Sequence, residues 1–304
     1  MFLEGRLCHS LPGVSRIIFT AAVGNPRFAQ MALGLARSLD LIGDRTERAI
    51  VTDIPGIDWR RYFQHVLPVS SCPEWIFLSK LDLLDRTDAA QVLWIDADCI
   101  VFQPTGPIFD YCAGRGLAVP GFLVREGSYY GRAEEHAMRH GLAQFPKVTA
   151  GMIYYERAPE ACDLIQQIRD YAKAYDTLGF RRRVNSIIPD EPCIALAMAK
   201  RERGLLIDET TNFIHSAAGL VGKLHLDVLR NKCEFLCHQE SVRFFRPRIF
   251  HAWRYKDFLI YWKQLELLKK LESYAETHDS MYISRGARLV RSLNRRIIKL
   301  RRDR

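Results

Sequence analysis

The sequence contains no apolar run of about 18 residues or more, which a transmembrane helix would require. It also lacks internal repeats and low-complexity segments, apart from an arginine-rich stretch at the carboxyl end. Near the amino terminus, Glu4 and Arg6 stand where a signal peptide would have its apolar core, so no secretion signal is expected. These absences argue against membrane-spanning and repeat architectures and favour a globular protein.

The eight cysteines are spread along the chain, and no two of them form a C-x-x-C pair. Several lie inside apolar segments, which predicts reduced core residues in a cytoplasmic protein. Cys233, Cys237 and His238 suggest a zinc site as an alternative, although their spacing is not that of the common zinc motifs.

The excess of positive charge is concentrated at the carboxyl end. The net charge of the chain is +9, and the segment from Arg285 to Arg304 accounts for +8 of it. The remainder is close to neutral. The high isoelectric point therefore results from the basic tail and not from a basic folded domain, so no nucleic-acid partner is expected.

Strand patterns and helix patterns alternate along the 304 residues, of which 48% are hydrophobic. Strands are predicted at 16–23, 49–52, 62–69, 92–95, 116–119, 148–155 and 242–251. Helices are predicted at 26–39, 73–86, 107–112, 131–141, 158–178, 190–198 and 255–274. The alternation predicts an α/β fold with a Rossmann-like, mostly parallel central sheet flanked by helices. The segment 208–240 has no clear pattern.

The most informative segment runs from Gln91 to Phe102 and reads QVLWIDADCIVF. Its apolar start predicts a strand buried on both faces of a parallel sheet. Asp96 and Asp98 follow at the carboxyl end of the strand, where open α/β sheets bind ligands. If the chain turns at Ala97, both carboxylates can converge on a hard cation such as Mg²⁺ or Mn²⁺. The alternative is a strand end with solvated aspartates, but acids flanked by apolar residues need a partner charge.

Further short motifs accompany this segment in a fixed order: TAAVG at 20–24, FLSKLDLL at 77–84, TAGMIYY at 149–155 and IFH at 249–251. With LWIDAD at 93–98, they resemble the metal-dependent nucleotide-sugar glycosyltransferases with a GT-A fold, most closely the retaining enzymes of family 8. The resemblance covers roughly Arg16 to Trp262. It implies a catalytic GT-A domain, which we place over residues 1–274. The pattern of charged and apolar residues beyond it predicts a basic, amphipathic helical tail over 275–304.

The resemblance assigns roles to individual residues. Asp96 and Asp98 correspond to the metal ligands, with Asp96 also placed to contact the ribose. His251 corresponds to the third metal ligand, and His215 is a second candidate for that role. Lys80 corresponds to a basic residue that such enzymes direct at the nucleotide and the donor sugar, and it is a candidate catalytic residue.

Other positions are expected to contact the nucleotide sugar. They are Thr20, Ala21, Ala22, Ala97, Gly151 and Lys256. Lys256, Arg181 or Arg183 could add a second counter-charge for the leaving diphosphate.

The chain departs from the family pattern at several points. After His251 the glycine and the P-W of H-x-x-G-x-x-K-P-W are missing, and Lys256 comes one position early. The family's asparagine before Gly151 is replaced. The D-Q-D signature is represented only by Asp190 and Glu191. Asp190 is therefore expected to contact sugar or acceptor hydroxyls, or to act as the attacking carboxylate, and both roles remain open.

The function implied by the resemblance is hexose transfer from a UDP-sugar to a glycan or lipid-linked acceptor, with retention of configuration. The expected cofactor is Mn²⁺ or Mg²⁺, acting as a Lewis acid on the diphosphate.

The tail adds an expected location. Leu289, Leu293, Ile297 and Leu300 recur at helical spacing among the arginines. A basic amphipathic helix of this kind binds the surface of an anionic membrane. The protein is therefore expected in the cytoplasm, peripheral on the inner face of a membrane. The alternative is a helix that packs back on the protein or a disordered basic end.

Two other functions fit parts of the sequence. An apolar strand ending in D-x-D also opens the haloacid-dehalogenase-type phosphotransferases, but their motif begins the domain, whereas here about 95 residues precede it. The second alternative is a non-catalytic, membrane-peripheral protein that binds a sugar nucleotide, since the asparagine and the P-W are missing.

Overall fold

The computed structural model describes residues 15–69, 80–81, 85–183, 187–238 and 241–277. Most of the helix predicted at 73–86 lies outside these residues, as does the predicted tail from 278 onward. Within the described part of the chain, no helix combines the length and the apolar character needed to cross a membrane.

The helices and strands are named in chain order. The helices are α1 (Pro26–Ile42), α2 (Gly106–Cys112), α3 (Ala133–Arg139), α4 (Pro159–Lys173), α5 (Asp190–Arg201) and α6 (Leu259–Thr277). The strands are β1 (Arg16–Ala22), β2 (Glu47–Thr52), β3 (His65–Leu67), β4 (Gln91–Ile95), β5 (Cys99–Val101), β6 (Leu117–Val124), β7 (Phe145–Val148), β8 (Met152–Glu156), β9 (Leu205–Ile207), β10 (Ile214–His215), β11 (Leu220–Asp227), β12 (Lys232–His238), β13 (Val242–Phe245) and β14 (Ile249–His251).

The chain forms two compact units. The described residues of 1–25, 46–96 and 105–211 make up the first unit, and those of 26–45, 97–104 and 212–304 make up the second. The chain passes from the first unit to the second between Asp96 and Ala97, inside the D-x-D motif.

The first unit is built on an eight-stranded sheet in the order β3-β2-β1-β4-β8-β6-β7, with β9 paired to β6. The pairs β2–β3, β1–β2, β1–β4 and β6–β9 are parallel. The pairs β4–β8, β6–β8 and β6–β7 are antiparallel. The central strand β4 thus has one parallel and one antiparallel neighbour. Its apolar run correctly predicted burial, but burial alone does not determine the direction of pairing.

Alternating residues of the strands fill the core of the first unit together with helices α4 and α5. Leu164, Ile165 and Ile168 form the apolar stripe of α4, and they pack with Val92 and Tyr155 of the sheet. The spacing of this stripe is that of a helix with one buried face.

The strand predicted at 148–155 is two strands, β7 and β8. Between them, Thr149 N donates to Pro120 O and Gly151 O accepts from Asp96 N. Thr149 thus bonds to β6, whereas Gly151 bonds to the residue that follows β4. The chain therefore turns at 149–151 and does not continue as one strand. The turn brings Gly151 next to Asp96.

The second unit has two three-stranded sheets, in the orders β10-β14-β5 and β11-β12-β13, and helices α1 and α6. Helices α1 and α6 approach closely at Gly34, where a Cβ atom would lie only 2.3 Å from Leu265 Cδ2. The absence of a side chain at Gly34 allows this close contact. Strands β10, β11 and β12 occupy the segment for which the sequence indicated no elements.

Candidate functional site

In the first unit, the predicted donor-binding residues lie at one edge of the central sheet. Strands β1 and β4 are parallel, and Phe19 is the register partner of Trp94. Two residues further along each strand, Ala21 and Asp96 reach the same carboxyl edge. Thr20, Ala21 and Ala22 therefore belong to the edge at which ligands bind in open α/β sheets.

Thr20 has an unusual environment for a hydroxyl in a strand. Its side chain is buried, and its Oγ1 atom makes no hydrogen bond to any residue that the structure describes. Buried polar atoms are nearly always hydrogen-bonded in folded proteins. A polar ligand at this edge could supply the missing partner.

Lys80 is the centre of a buried ion network in the first unit. Its Nζ atom lies 3.0 Å from Asp96 Oδ1 and 3.0 Å from Asp190 Oδ2. The same atom donates a hydrogen bond of 3.0 Å to Ala150 O. An ammonium group has three N–H donors, and these three acceptors match that number.

The charges in this network shift the pKa values of its members. Burial alone would lower the pKa of Lys80, but the charges of Asp190 and Asp96 outweigh it and raise the pKa above its ordinary value of 10.5. Burial raises the pKa of Asp190, and Glu191 and Asp96 act in the same direction against Lys80. Lys80 therefore stays charged in the folded protein.

The carboxylate of Asp96 is fixed by two further contacts. Trp94 Nε1 donates to Asp96 Oδ1 at 2.6 Å, and Asp96 N donates to Gly151 O at 2.9 Å. The Lys80 ammonium also lies 5.3 Å from the centroid of the Trp94 ring. The indole thus supports both members of the ion pair.

A second polar network, centred on Glu191, was not predicted from the sequence. Tyr130 Oη donates to Glu191 Oε2, and Ala150 N donates to Glu191 Oε1 at 3.2 Å. Arg183 Nη2 lies 3.1 Å from Glu191 Oε2 and donates to Tyr130 Oη at 2.7 Å. Because Ala150 also accepts from Lys80, this network is joined to the Lys80 network.

Tyr130 has a backbone φ of 50°, in the left-handed region that bulky residues rarely adopt. Strain of this kind costs about 1–3 kcal/mol and is concentrated at functional sites. The sequence signal for this loop was a pair of tyrosines between Gly127 and Gly131. Arg183, predicted as a counter-charge, is engaged here with Tyr130 and Glu191.

In the second unit, Asp98 is surrounded by cationic or titratable groups. His251 Nε2 lies 3.4 Å from Asp98 Oδ1, and Lys256 Nζ lies 3.6 Å from Asp98 Oδ2. Ala252 N donates to Asp98 O at 3.0 Å, which fixes the backbone of the turn after Ala97. The side chains of Asp98 and His251 are both largely buried.

Asp98, Cys99 and His251 form a group whose ligand atoms all lie within 4.8 Å of one another. Within the described ranges, it is the only group of three or more histidine, cysteine or acidic residues that is this close together. A carboxylate and an imidazole are donors that divalent cations accept, so the residues present fit a metal ion.

His215, the second candidate ligand, has a different environment. Its Nδ1 atom accepts a hydrogen bond of 2.9 Å from Ala217 N. Its ring centroid lies 4.3 Å from that of Phe245 and 5.1 Å from that of Phe235. These contacts describe a packed structural histidine.

The alternative zinc site does not have the geometry that one ion needs. Cys233 and Cys237 both lie on β12. Four residues of a strand span about 13 Å, which is too far for both thiols to bind one zinc ion.

The predicted site residues are thus divided between the units. The first unit contains Thr20, Ala21, Ala22, Lys80, Asp96, Gly151 and Asp190. The second unit contains Ala97, Asp98, His251 and Lys256. Each group is assembled from segments that are far apart in the sequence.

The sequence matches no protein-family model and no curated protein sequence. The structure, however, is similar to solved glycosyltransferases. The galactosyltransferase LgtC, solved in complex with donor and acceptor sugar analogues, has a TM-score of 0.53 at 13% identity, over 89% of this chain and 99% of that chain. An active-site mutant of LgtC has a TM-score of 0.53 at 15% identity, over 84% of this chain and 95% of that chain.

The bifunctional glycosyltransferase WbbM, in its apo form, also has a TM-score of 0.53, at 11% identity over 80% of this chain. This chain covers 47% of WbbM, which is about half its length. At such low identities the likeness shows the fold alone. The predicted fold class, an α/β protein of GT-A type with a central sheet and flanking helices, is confirmed.

Proposed function

We propose that this chain is a glycosyltransferase that moves a hexose from a UDP-sugar to a glycan or lipid-linked acceptor, with retention of configuration. The catalytic domain comprises residues 1–274. The observation that carries the proposal is the buried Lys80, held between Asp96 and Asp190 at the ligand-binding edge of a sheet with the GT-A fold.

A stability role alone is a weak explanation for this ion network. Buried ion pairs rarely stabilise a protein more than well-packed apolar residues of similar volume would. Groups whose pKa values are shifted by burial and by named charge partners are concentrated at functional sites. A lysine kept charged at a sheet edge can turn one N–H donor toward an anionic substrate when the Asp96 carboxylate binds the cation instead.

Sugar transfer from a nucleoside diphosphate creates negative charge on the leaving diphosphate as the anomeric bond breaks. Fixed positive charges that are placed before the reaction stabilise this state most effectively. Lys80 faces the nucleotide and the donor sugar in this proposal. Lys256 adds a second charge to the diphosphate.

Asp96, Asp98 and His251 would hold the divalent cation, Mn²⁺ or Mg²⁺, as the resemblance implies. When bound, the cation acts as a Lewis acid on the diphosphate oxygens. Only Ala97 separates the two aspartates in the sequence, which favours a shared ion. Thr20, Ala21, Ala22, Ala97 and Gly151 complete the contacts to the nucleotide and sugar.

Asp190 contacts the hydroxyls of the donor sugar or the acceptor in this proposal. Its carboxylate is held by Lys80, and its Oδ1 atom accepts from Glu191 N at 3.1 Å. A carboxylate fixed in this way can orient a hydroxyl through a charge-assisted hydrogen bond.

The basic tail from 275 to 304 is proposed to bring the enzyme to an anionic membrane surface where a lipid-linked acceptor is presented. The support is the sequence pattern of leucines, isoleucines and arginines described above.

The experiment that tests the proposal is a donor screen that measures UDP release with Mn²⁺ from UDP-glucose, UDP-galactose and their N-acetyl forms. We expect release from one donor above all others, and loss of that release with a chelator. A thermal shift by UDP and Mn²⁺ without turnover on any donor would favour the non-catalytic binding protein. The proposal would be overturned if UDP and Mn²⁺ caused no thermal shift and no donor were turned over.

A further inference from the structure

The second unit places a thiol beside the imidazole of His251. Strands β5 and β14 are antiparallel, and Cys99 is the register partner of His251. Residues directly opposite each other in an antiparallel pair lie on the same face, with Cβ atoms about 4.5–5.5 Å apart. Both side chains are buried, Cys99 completely. The thiol is therefore a direct neighbour of the imidazole.

Asp98 completes a set of three different donors. It precedes Cys99 in the chain, and its Oδ1 atom lies 3.4 Å from His251 Nε2. The carboxylate oxygen, the sulfur and the imidazole nitrogen all lie within 4.8 Å of one another. A small movement of these side chains brings all three within bonding distance of one cation, at about 2.0–2.3 Å each.

An independent observation indicates that this cluster has a missing polar partner. Tyr261 of α6 is completely buried, and its Oη atom has no hydrogen-bond partner among the described residues. Asp98 and Cys99 both lie close enough to Tyr261 to interact electrostatically with its hydroxyl. A buried hydroxyl without a partner is rare. A water or a phosphate oxygen on a bound cation would supply the partner.

The donor set determines which cation fits best. Oxygen ligands suit Mg²⁺ and Mn²⁺, whereas imidazole and thiolate ligands suit Zn²⁺ and Co²⁺. Affinity for a given site also rises from Mn²⁺ to Co²⁺ along the first transition series. A site with one carboxylate, one imidazole and one thiol therefore favours the later metals.

We infer that Cys99 is a metal ligand alongside Asp98 and His251, and that this site binds Zn²⁺ or Co²⁺ more tightly than Mn²⁺. As the metal–sulfur bond forms, the thiol proton leaves to solvent. Asp98, Cys99 and His251 leave the remaining coordination positions of the cation open to water, to a ligand oxygen or to the Asp96 carboxylate of the proposed function. The inference deepens the proposed function, on which the role of this cation rests, by adding a ligand and by ranking the metals that the site binds.

The test is a titration of the full-length, metal-free protein with Co²⁺ in the absence of nucleotide, followed by absorption spectroscopy. Sulfur ligation produces a near-ultraviolet charge-transfer band from thiolate to cobalt. We expect the band in the wild type and in a Cys162→Ser control, since Cys162 is an exposed cysteine of α4. Cys99→Ser should lose the band. It should also lose Zn²⁺ affinity by at least about tenfold, as removing even an outer-sphere partner does.

A band that persists in Cys99→Ser, or Co²⁺ binding by the wild type without a band, would overturn the inference. If Cys99→Ser does not fold, crystals of the wild type soaked in Zn²⁺ decide the matter. We expect an anomalous peak about 2.3 Å from Cys99 Sγ. A peak bonded to Asp98 and His251 but out of reach of the sulfur would overturn it.

The outcomes separate this inference from the proposed function. Manganese-dependent UDP-sugar turnover with no cobalt–sulfur band would contradict only the role of Cys99. A cobalt–sulfur band in a protein that neither binds UDP nor turns over any donor would support the metal site but contradict the proposed glycosyltransferase function.

Discussion

Lys80 Nζ lies 3.0 Å from Asp190 Oδ2, although the side chains of these two residues are only 6% and 3% exposed. The sequence distance between them is large, so the pair is a product of the tertiary fold. Because Asp96 is bound to the same ammonium group, one cation balances the buried carboxylate of Asp190 and the half-buried carboxylate of Asp96. This arrangement makes Lys80 important for the stability of the fold, and the proposed function gives it a second role.

Replacing Lys80 by methionine should strongly destabilise the fold. The change keeps a similar volume but leaves the buried carboxylate of Asp190 and the half-buried carboxylate of Asp96 without their counter-charge. We expect a loss of about 3–5 kcal/mol in the free energy of unfolding, measured by urea denaturation. Lys173→Met, at an exposed position of α4, serves as the control and should be nearly neutral. Equal stability of the two variants would show that the buried pair is absent.

The contribution of Lys80 to stability should depend on pH only in the alkaline range. Its pKa is higher in the folded protein than its ordinary value of 10.5, so the folded state binds the proton more tightly. The stability that it adds is complete below pH 10.5 and falls as the pH rises toward the folded value. Urea denaturation of wild type and Lys80→Met at a series of pH values measures this difference. A difference that already shrinks near neutral pH would contradict the raised pKa.

Asp98→Asn should abolish turnover while leaving the fold intact. An amide keeps the shape of the carboxylate but loses the charge that binds a divalent cation. We expect UDP release to fall by at least about a hundredfold, which corresponds to about 2.7 kcal/mol of lost transition-state stabilisation. Asp163→Asn, an exposed change on α4, is the control. If the Asp98→Asn variant is fully active, turnover does not depend on a cation bound by Asp98.

Tyr130→Phe should weaken the network around Glu191. The change removes the hydroxyl that donates to Glu191 and accepts from Arg183, while the ring remains. We expect a loss of about 1–2 kcal/mol in the free energy of unfolding. If the network positions the segment that bonds to Lys80, kcat should fall more than KM rises. Tyr274→Phe, an exposed change on α6, is the control. If stability and kcat are both unchanged, Tyr130 neither stabilises the fold nor positions the segment that bonds to Lys80.

The sequence predicted those features that depend on local patterns. The apolar run before Asp96 correctly indicated a buried strand that ends in acids, and Pro26 correctly marked the start of α1. The GT-A fold followed from the order of the motifs and is confirmed. These signals lie within short windows of the chain.

Features that depend on tertiary contacts or on irregular strands were missed. In β11, the register with β12 shifts between Val221 and His225, and most residues are not buried, so no apolar alternation appears. In β12 a signal was present, since Cys233, Phe235 and Cys237 alternate and are buried, but the two thiols suggested zinc instead.

The missed contacts of the site have the same origin. Tyr130 and Glu191 are brought together only by folding, and no local pattern links them. The pairing of Cys99 with His251 follows from the register of β5 and β14, which the sequence does not specify.

The most direct test of the central claim is a crystal structure of the protein soaked with Mn²⁺ and UDP, with anomalous data for manganese. The account predicts one manganese peak bonded to Asp96, Asp98 and His251 and to the diphosphate of a UDP molecule. The account is contradicted if no cation is bonded to Asp96, Asp98 or His251 and if UDP is absent or bound elsewhere.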